Sequence, residues 1–485
     1  MSEFPKNLAY NLKRMDATFS KQKVKILPDK TTAGPNDILR FRIPANGIYD
    51  FRSLNVFFTA STSGNQTVFL HIPRYSSAFI QALNVSANST SLSSISEYAF
   101  LYSKLMDIEG ADFSQMSKRS GEMYDPSIRF TKGAGPENAL TCVKTADSTA
   151  HATNDTGIKL CINNWLGFLG SLSTTCFDLS EIGDLYISWQ TSPSSILWKS
   201  FGAQVAQTGA TYSLTDIYMT IDRISFQSGE YYSQIAKELD TRNGGNGLEI
   251  GYYDYYLTTG SLTTKSNGIA MNFNVNSASL DQIIACFRRS DYNTISALVL
   301  YGANTLVQGT TKSFAEVLSN PVAYSSSASD AVNLALPVGL GDAFNNSLAF
   351  VSSANDLVSS SWSINSVSIT PYALPPTEVY QNALQYTGYQ NLDLGTSGLH
   401  PGCLSLEHFL RYYYVDICSL ENISGDNNFW VSGYDGRQGG INIAYNAVFN
   451  TNAGQIYPYI YARSTKVLFY QAGRQLEIDK PKSMM

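Results

Sequence analysis

Four histidines are the first residues to test for chemistry: His71, His151, His400 and His408. A serine or cysteine nucleophile needs a histidine base that is oriented by a carboxylate. No Gly-x-Ser-x-Gly motif, the usual setting of such a serine, accompanies any of the four. His71 stands inside residues 68–72, an apolar run typical of a strand, which favours a core or interface role. We therefore predict no catalytic residue.

One cluster has spacing that resembles a metal site, formed by His400, Cys403, His408 and Cys418. Zinc needs four nitrogen or sulfur ligands in a tetrahedron, usually supplied as close pairs. Residues 404–406 and 412–415 between them read as strands, which would hold the ligands apart. We predict no bound metal and no cofactor.

The glycine-rich segments and the acidic residues do not indicate a functional site either. Residues 244–247 lack the Lys-Ser/Thr that follows a phosphate-binding loop, and 339–341 lack the third glycine of a dinucleotide motif. Both segments are predicted turns. Two carboxylates for glycoside hydrolysis need to be close only in space, and no pair is indicated by the sequence. We therefore predict that the protein is not an enzyme.

Tyrosine runs at residues 252–256 and 412–414 could stack on sugars, as in a lectin. Tyrosine is also enriched in strands and in protein–protein interfaces, where the ring is buried and the hydroxyl stays hydrated. We favour a core or interface role for both runs.

The composition limits the class of protein. The chain has 485 residues, of which 44% are apolar and only 15% charged, with a net charge of −6. This apolar share excludes intrinsic disorder, and the net charge argues against a protein that wraps nucleic acid over its whole surface. Few charges and 31 tyrosines favour an all-β protein rather than long charged helices.

The cysteines and the first residues bear on where the protein is made. The six cysteines never approach closer than fifteen positions, and we expect reduced thiols. Residues 1–6 contain an acid and a proline where a signal peptide needs a basic start and an apolar run. The apolar run at 295–301 is too short to span a membrane. We therefore expect synthesis in the cytoplasm or nucleus of the producing cell, without secretion.

Alternation of apolar and polar residues recurs along the chain, for example in residues 38–43, 217–222 and 441–450. Strand side chains point to opposite faces in turn, so each segment predicts one buried and one hydrated face. This pattern is typical of antiparallel sandwiches rather than of parallel sheets.

Two short amphipathic helices are predicted, at about 95–106 and 280–288. Each follows a capping box, Ser94-x-x-Glu97 in the first and Ser279-x-x-Gln282 in the second. One capped helix in each half predicts two related units.

Domain boundaries follow from turn-forming residues. Residues 240–247 contain three glycines and two asparagines without apolar periodicity, which predicts a junction. We divide the chain into an N-terminal arm (1–30), a first sandwich (31–240) and a second sandwich (248–485). Two polar stretches, 132–157 and 302–332, read as long surface loops. The arm holds seven basic and three acidic residues, a net charge of +4.

The segments that carry a family resemblance keep their order along the chain. They are 37–44 (DILRFRIP), 74–80 (RYSSAFI), 96–102 (SEYAFLY), 274–281 (NVNSASLD), 419–421 (SLE), 432–437 (SGYDGR) and 468–478 (LFYQAGRQLEI). In this order they resemble the double jelly-roll major capsid proteins of tailless icosahedral double-stranded DNA viruses. The similarity is greatest to the polinton-like virus and virophage branch.

The resemblance implies an all-β fold of two antiparallel eight-stranded jelly rolls in tandem, with a few short helices. It also implies a homotrimer that forms a pseudo-hexameric capsomer in the virion. Implied partners are neighbouring capsomers and the minor capsid and penton proteins. The basic arm would meet an internal membrane or the genome, and a solvated tail is the alternative.

Two functions from other classes remain open. One is a β-sandwich carbohydrate-binding or glycoside-processing protein, and the other is a viral fibre or adhesin. A trimer seen by imaging would favour the capsid protein, whereas glycan binding or cleavage by a smaller species would favour the first alternative.

Overall fold

The fold is seen in a computed structural model that describes most of the predicted strands. The described residues are 19–64, 70–73, 76–108, 156–174, 176–180, 182–199, 209–226, 233, 237, 248–295, 347–370, 372–386, 406, 409–410, 413–420, 433–436, 440–450, 454–471 and 475–478. Several predicted features lie outside these residues: the junction at 240–247, nearly all of both predicted long loops, and His151, His400, Cys403 and His408.

The first half of the chain contains two antiparallel sheets that face each other. One has the order β1–β11–β3–β7 with β8 also on β3, the other β2–β9–β5–β6, and β4 pairs with β10. The bounds are β1 Phe19–Ile26, β2 Ile38–Ile43, β3 Ile48–Ser63, β4 Leu70–His71, β5 Ile80–Ala87, β6 Thr90–Ser96, α1 Tyr98–Ile108, β7 Ile158–Ile162, α2 Phe168–Ser171, β8 Cys176–Asp178, β9 Leu185–Thr191, β10 Trp198–Lys199 and β11 Thr211–Phe226, with 3-10 turns at Ser76–Phe79 and Ser194–Ile196.

The second half repeats this arrangement. Its sheets have the orders β12–β20–β15–β18, with β13 and β21 also on β20, and β14–β19–β16–β17. The bounds are β12 Leu248–Thr259, β13 Thr263–Thr264, β14 Ile269–Val275, β15 Leu280–Arg289, β16 Leu357–Ile364, β17 Val367–Ser368, α3 Pro376–Tyr386, β18 Asp416–Ser419, β19 Ile441–Phe449, β20 Gln455–Gln471 and β21 Gln475–Ile478, with 3-10 turns at Lys265–Asn267 and Leu348–Phe350.

The strand order is the same in both halves. When the eight main strands of each half are numbered from one, the two sheets read 1-8-3-6 and 2-7-4-5 in each half. This is the order of a jelly roll, so the predicted fold class of two tandem jelly rolls is confirmed. The domain boundaries remain a prediction, because the chain between β11 and β12 is largely outside the described residues.

The predicted alternation appears in the burial of the strands. In β2, Leu39, Phe41 and Ile43 are buried while the residues between them are exposed, and β19 alternates in the same way. The two cores that result contain large rings such as Trp189 in the first jelly roll and Trp362 in the second. In the described part of the chain, no helix has both the length and the apolar character needed to cross a membrane.

One predicted helix is wrong. Residues 280–288 lie in the strand β15, between β18 and β20. All but the last residue of β15 are buried, because one face of its sheet covers the second core and the other meets the first jelly roll. A strand that is buried on both faces shows no alternation, so its apolar residues can also match a helical period.

The helix α1 is confirmed, but its predicted cap is not. Ser94 lies in β6 and donates its hydroxyl hydrogen to Asn84 Oδ1 at 2.6 Å. The helical relative of α1 in the second half is α3, because each of them follows the fifth strand and precedes the sixth. The two halves are therefore related units with one such helix each, but the second helix is Pro376–Tyr386 rather than 280–288.

Part of the predicted arm belongs to the first jelly roll. Residues 19–26 form β1, which pairs residue for residue with β11, and Ile26 reaches the core. Lys21 forms ion pairs with Asp222 at 3.0 Å and with Asp50 at 3.4 Å. Residues 1–18 therefore keep only three basic and two acidic residues, and most of the positive charge of the arm lies from β1 onwards.

Candidate functional site: the interface between the two jelly rolls

The residues first tested for chemistry are not gathered in the described structure. His71 lies in β4, where its backbone pairs with Trp198, and Cys418 is buried in β18. Within the described ranges, no three His, Cys, Asp or Glu residues are close enough to hold a metal ion. Because the other three members of the His/Cys cluster lie outside these ranges, the absence of a metal remains a prediction.

The segments around that cluster differ partly from the predicted strands. Leu406 is helical, whereas Tyr413 forms an isolated bridge with Ser352 and Val415 directly precedes β18. The four cysteines in the described residues form no disulfide bonds. Burial raises the pKa of Cys286 and of Cys418 to about 12, so both are unreactive at neutral pH.

Of the six tyrosines of the two runs that are described, four are buried, and Tyr253 and Tyr256 are half-buried. Tyr252 and Tyr255 of β12 are buried, and so are Tyr413 and Tyr414 ahead of β18. The Tyr252 hydroxyl donates to the Leu92 carbonyl oxygen of the first jelly roll at 2.7 Å. These four buried rings belong to the cores and to the contact between the two halves, where they cannot stack on a sugar.

The densest polar arrangement is that contact, which we call the inter-roll interface. In it, β6, α1 and α2 of the first jelly roll meet β12, β15 and β20 of the second. Its apolar part consists of edge-to-face ring pairs, with Phe168–Tyr252 at 5.0 Å and Phe100–Tyr459 at 5.7 Å between ring centroids. Each such pair stabilises by about 0.5–1.5 kcal/mol beyond the burial of its area.

Arg288 is the central charge of the inter-roll interface. Its Nη1 lies 2.8 Å from Oε2 of Glu97, while the side chain of Arg288 is only 6% exposed. Nη2 donates to the Ala349 carbonyl oxygen at 3.1 Å. The guanidinium also lies over the rings of Phe100 and Tyr292, at 4.8 and 4.2 Å from the centroids. These contacts replace the water that the cation loses.

Glu97 is held in place by the backbone around it. It has a φ of +51° between the end of β6 and the start of α1. Its carbonyl oxygen accepts the first helical hydrogen bond, from Leu101, and a bond from the Tyr461 hydroxyl at 3.3 Å. Burial alone would lower the pKa of Arg288, but the Glu97 carboxylate and the hydroxyls of Tyr459 and Tyr461 together outweigh it, so the pKa of the guanidinium is raised.

A second buried ion pair lies at the edge of β12. Lys466 Nζ is 2.6 Å from Asp254 Oδ2, and the two side chains are 13% and 3% exposed. The other oxygen of Asp254 accepts a hydrogen bond from Ser93 of the first jelly roll at 2.6 Å. Nearby, the backbones of Ser173 and Gly251 are joined by a hydrogen bond of 2.9 Å. The two jelly rolls are thus fixed to each other by directed contacts, which set their relative orientation.

A third polar cluster lies inside the second jelly roll. Asp416 is buried and accepts hydrogen bonds from Trp362 Nε1 and from the Tyr445 hydroxyl, each at 3.2 Å. The Tyr445 and Tyr414 hydroxyls are also 3.2 Å apart. Burial raises the pKa of Asp416, although the hydrogen bonds that it accepts oppose this change.

Stability should therefore depend on the protonation of Asp416. Because its folded-state pKa is raised, its contribution to stability is complete at low pH and is lost as pH rises through that pKa. Asp416→Asn removes the charge and keeps the shape. We expect it to raise the free energy of unfolding relative to wild type at pH 8, because the charge that burial disfavours is gone.

Urea unfolding of both proteins at pH 4 and pH 8 measures this difference. The gain of Asp416→Asn should be smaller at pH 4, and this low-pH measurement is the internal control. A difference that stays constant or shrinks as pH rises would contradict the assignment of the charge to Asp416.

The sequence reasoning missed the charged residues of the inter-roll interface. The signal for Arg288 was present, since an arginine pair ends an apolar run from Ile283 to Phe287. Glu97 was read as part of a cap, and the link between Glu97 and Arg288 spans 191 positions. Chemically, these groups hold two β-sandwiches together, and the described arrangement contains nothing that activates a nucleophile or a water molecule.

Comparison with solved structures finds proteins of similar architecture. The PBCV-1 protein VP54, fitted into a cryo-EM reconstruction of the virophage Sputnik, matches over 97% of this chain and 98% of its own, with 11% identity and a TM-score of 0.56. A chain of the PBCV-1 virus capsid matches over 97% and 98%, with 12% identity and a TM-score of 0.55. A chain of the Sputnik virophage matches over 100% and 94%, with 14% identity and a TM-score of 0.50.

No protein-family model matches the chain, and no curated protein matches it either. At 11–14% identity the structural likeness concerns the fold, and it extends over nearly the whole of each chain. The strand order, the inter-roll interface and these matches agree: the chain has the double jelly-roll fold of viral major capsid proteins.

Proposed function

We propose that the chain is a viral major capsid protein whose homotrimers are the pseudo-hexameric capsomers of an icosahedral shell. The observation that carries the proposal is the end-to-end structural likeness to chains of viral capsids. The inter-roll interface supports it as well. A shell subunit must present its two jelly rolls at a fixed angle, and the buried pair Arg288–Glu97 restricts that angle.

The proposal includes a location in the virion and a structural role without catalysis. The partners would be other copies of the chain, first in the trimer and then between capsomers, together with minor capsid and penton proteins. Four of the six described tyrosines in these runs are buried, which favours this role over carbohydrate binding.

The test is the mass and shape of the purified full chain. Light scattering after size exclusion should give about 160 kDa, three times the 53.2 kDa of one chain. Negative-stain images should show particles with a hexagonal outline. A stable monomer that binds or cleaves glycans would overturn the proposal in favour of a carbohydrate-active protein.

The N-terminal residues provide a separate prediction about assembly. We propose that residues 1–18 lie below the capsomer and contact neighbouring subunits or minor capsid proteins. Deleting them removes no residue of β1, so trimers should form as in wild type. The yield of assembled particles should fall several-fold, as measured by sedimentation and electron microscopy.

A deletion of residues 1–26 is the contrasting variant. It removes β1, leaves the edge of β11 unpaired and takes Ile26 from the core, so we expect an aggregated protein. If the protein without residues 1–18 assembles as well as the full chain, these residues are a solvated tail with no role in the shell.

A further inference from the structure

The strand β14 is the outermost strand of its sheet in the second jelly roll. The sheet has the order β14–β19–β16–β17, and the seven residues of β14, Ile-Ala-Met-Asn-Phe-Asn-Val, include no charged residue and no proline. The edge strands of proteins are usually protected by charged side chains, by proline or by a covering segment, because their unpaired backbone groups can bind another strand. The first two kinds of protection are missing from β14.

The register of the sheet identifies the backbone groups on this edge. The Asn442 N–H of β19 donates to Asn365 Oδ1 at 3.0 Å, and the Asn442 carbonyl oxygen accepts from the Asn365 N–H at 2.8 Å, both on the side of β16. Successive residues of a strand direct their backbone groups to opposite sides, so the neighbours of Asn442 bond to β14. Three residues of β14 then direct their N–H and C=O groups away from the sheet: Ala270, Asn272 and Asn274. In the described part of the chain no further hydrogen bond involves these six groups, which we call the open edge.

The equivalent strand of the first jelly roll, β2, has a protected edge. Its Arg40 carbonyl oxygen accepts from the Asp29 N–H at 3.0 Å, and the Arg40 N–H donates to Asp29 Oδ1 at 2.9 Å. The three side chains that β2 directs into the core are 0% exposed, against 9% for both Met271 and Phe273 of β14. The chain thus covers the edge of one core itself, whereas the other core reaches the surface beside β14.

The N-terminal residues leave the molecule at the end where β14 finishes. Phe19, the first residue of β1, lies opposite Phe226. At this end of the sheet β8 pairs with β3, and just ahead of β8 the Ser173 N–H donates to the Gly251 carbonyl oxygen near the start of β12. The chain then runs along β12 and returns in β14, so β14 ends at Val275 at this same end. The eighteen residues before Phe19 can extend about 60 Å from there, far enough to meet an adjacent copy.

Residues 7–12 have the pattern that the open edge requires. Their alternate residues are apolar, which is the period of a strand with one buried face. The apolar residues are Leu8, Tyr10 and Leu12, and those between them are Asn7, Ala9 and Asn11. The exposed residues of β14 are likewise one alanine and two asparagines. A strand formed by residues 7–12 would therefore continue both the apolar and the polar face of the sheet.

We infer that the open edge of β14 binds residues 7–12 of a neighbouring copy as an added strand. The outward N–H and C=O groups of β14 bond to the backbone of this segment, and its apolar side chains cover Met271 and Phe273. Both segments run toward the same end of the subunit, so the added strand is parallel to β14. The inference rests on the proposed shell, and it names the segment and the surface through which neighbouring copies are joined in it.

A pair of introduced cysteines tests whether the two segments meet between copies. Full chains with Ala9→Cys and full chains with Asn272→Cys are assembled together into particles and oxidised. Because each chain carries only one of the two substitutions, a disulfide between them joins two copies, and we expect this disulfide in the particles. The linked peptides are identified by mass spectrometry, since Cys176 is exposed as well. Arg40→Cys on the protected edge of β2 is the matched control, and it should give no disulfide with Ala9→Cys.

Two substitutions of Asn272 test the backbone of the open edge. Asn272→Pro removes an N–H group that points away from β19, and proline is tolerated on edge strands for this reason. Asn272→Ala changes the side chain but keeps this N–H group. We expect trimers from both variants. The yield of particles should be near that of wild type for Asn272→Ala and several-fold lower for Asn272→Pro, as for the protein without residues 1–18.

The outcomes separate this inference from the proposed function. Particles that form without a disulfide between Ala9→Cys and Asn272→Cys would refute the contact and leave the capsid role intact. A disulfide found only when one chain carries both substitutions would also refute it, because the N-terminal segment would then bind its own subunit. A wild-type chain that forms neither trimers nor particles would refute the proposed function itself. The cysteine test does not depend on the proline variant, so it decides the matter even if Asn272→Pro fails to fold.

Discussion

Replacing Arg288 by alanine is expected to lower the free energy of unfolding by about 3–5 kcal/mol. The variant leaves Glu97 without its cation and opens a cavity beside the rings of Phe100 and Tyr459. The Ala349 carbonyl oxygen also loses two donors. Urea unfolding followed by circular dichroism measures the loss.

Arg42→Ala is the matched control. Arg42 also binds a carboxylate, Asp184, at 2.6 Å, but its side chain is 64% exposed. Water replaces the lost partner at such a site, so we expect no measurable change in stability. If Arg288→Ala behaves like Arg42→Ala, Arg288 does not hold the two jelly rolls together.

A double variant separates the ion pair from the packing. Arg288→Met keeps most of the side-chain volume but leaves Glu97 unpaired, and Glu97→Gln removes the remaining charge. The double variant should therefore be destabilised by less than the sum of the two single variants. Strict additivity would mean that the two side chains act independently.

The fold could be predicted from the sequence because most strands have one hydrated face. The alternation in 38–43 and in 441–450 fixed both the strand type and the buried side, and burial in β2 and β19 agrees with it. The prediction of strand or helix failed where a strand has no hydrated face. β15 is buried on both faces, and its apolar residues satisfied a helical period equally well.

The second helix had a local signal that was not used. Pro376 stands at the first position of α3, where its fixed φ is favourable, and Val379 and Ala383 are spaced to share one face. The inter-roll interface had no comparable signal. Glu97 and Arg288 come together only because β6 and β15 meet in space, and the local pattern around each residue contains no information about that meeting.

Replacing Trp189 in the first core is the other change from which we expect a large loss of stability. Trp189 is fully buried, with Phe41 at 6.0 Å and Phe58 at 6.3 Å between ring centroids. Trp189→Ala removes these contacts and leaves a cavity in a region that is packed from both sheets. We expect the free energy of unfolding to fall by about 3–5 kcal/mol, measured by urea unfolding.

Phenylalanine at the same position separates ring volume from hydrogen bonding. In the described structure the indole Nε1 of Trp189 has no acceptor, so Trp189→Phe loses volume without losing a bond. Trp362→Phe in the second core removes the same volume, and it also removes the donor that Asp416 binds at 3.2 Å. We expect Trp362→Phe to cost about 1–3 kcal/mol more than Trp189→Phe. Equal losses would mean that the hydrogen bond to Asp416 adds nothing to stability, and that the buried carboxylate is supported by its tyrosines alone.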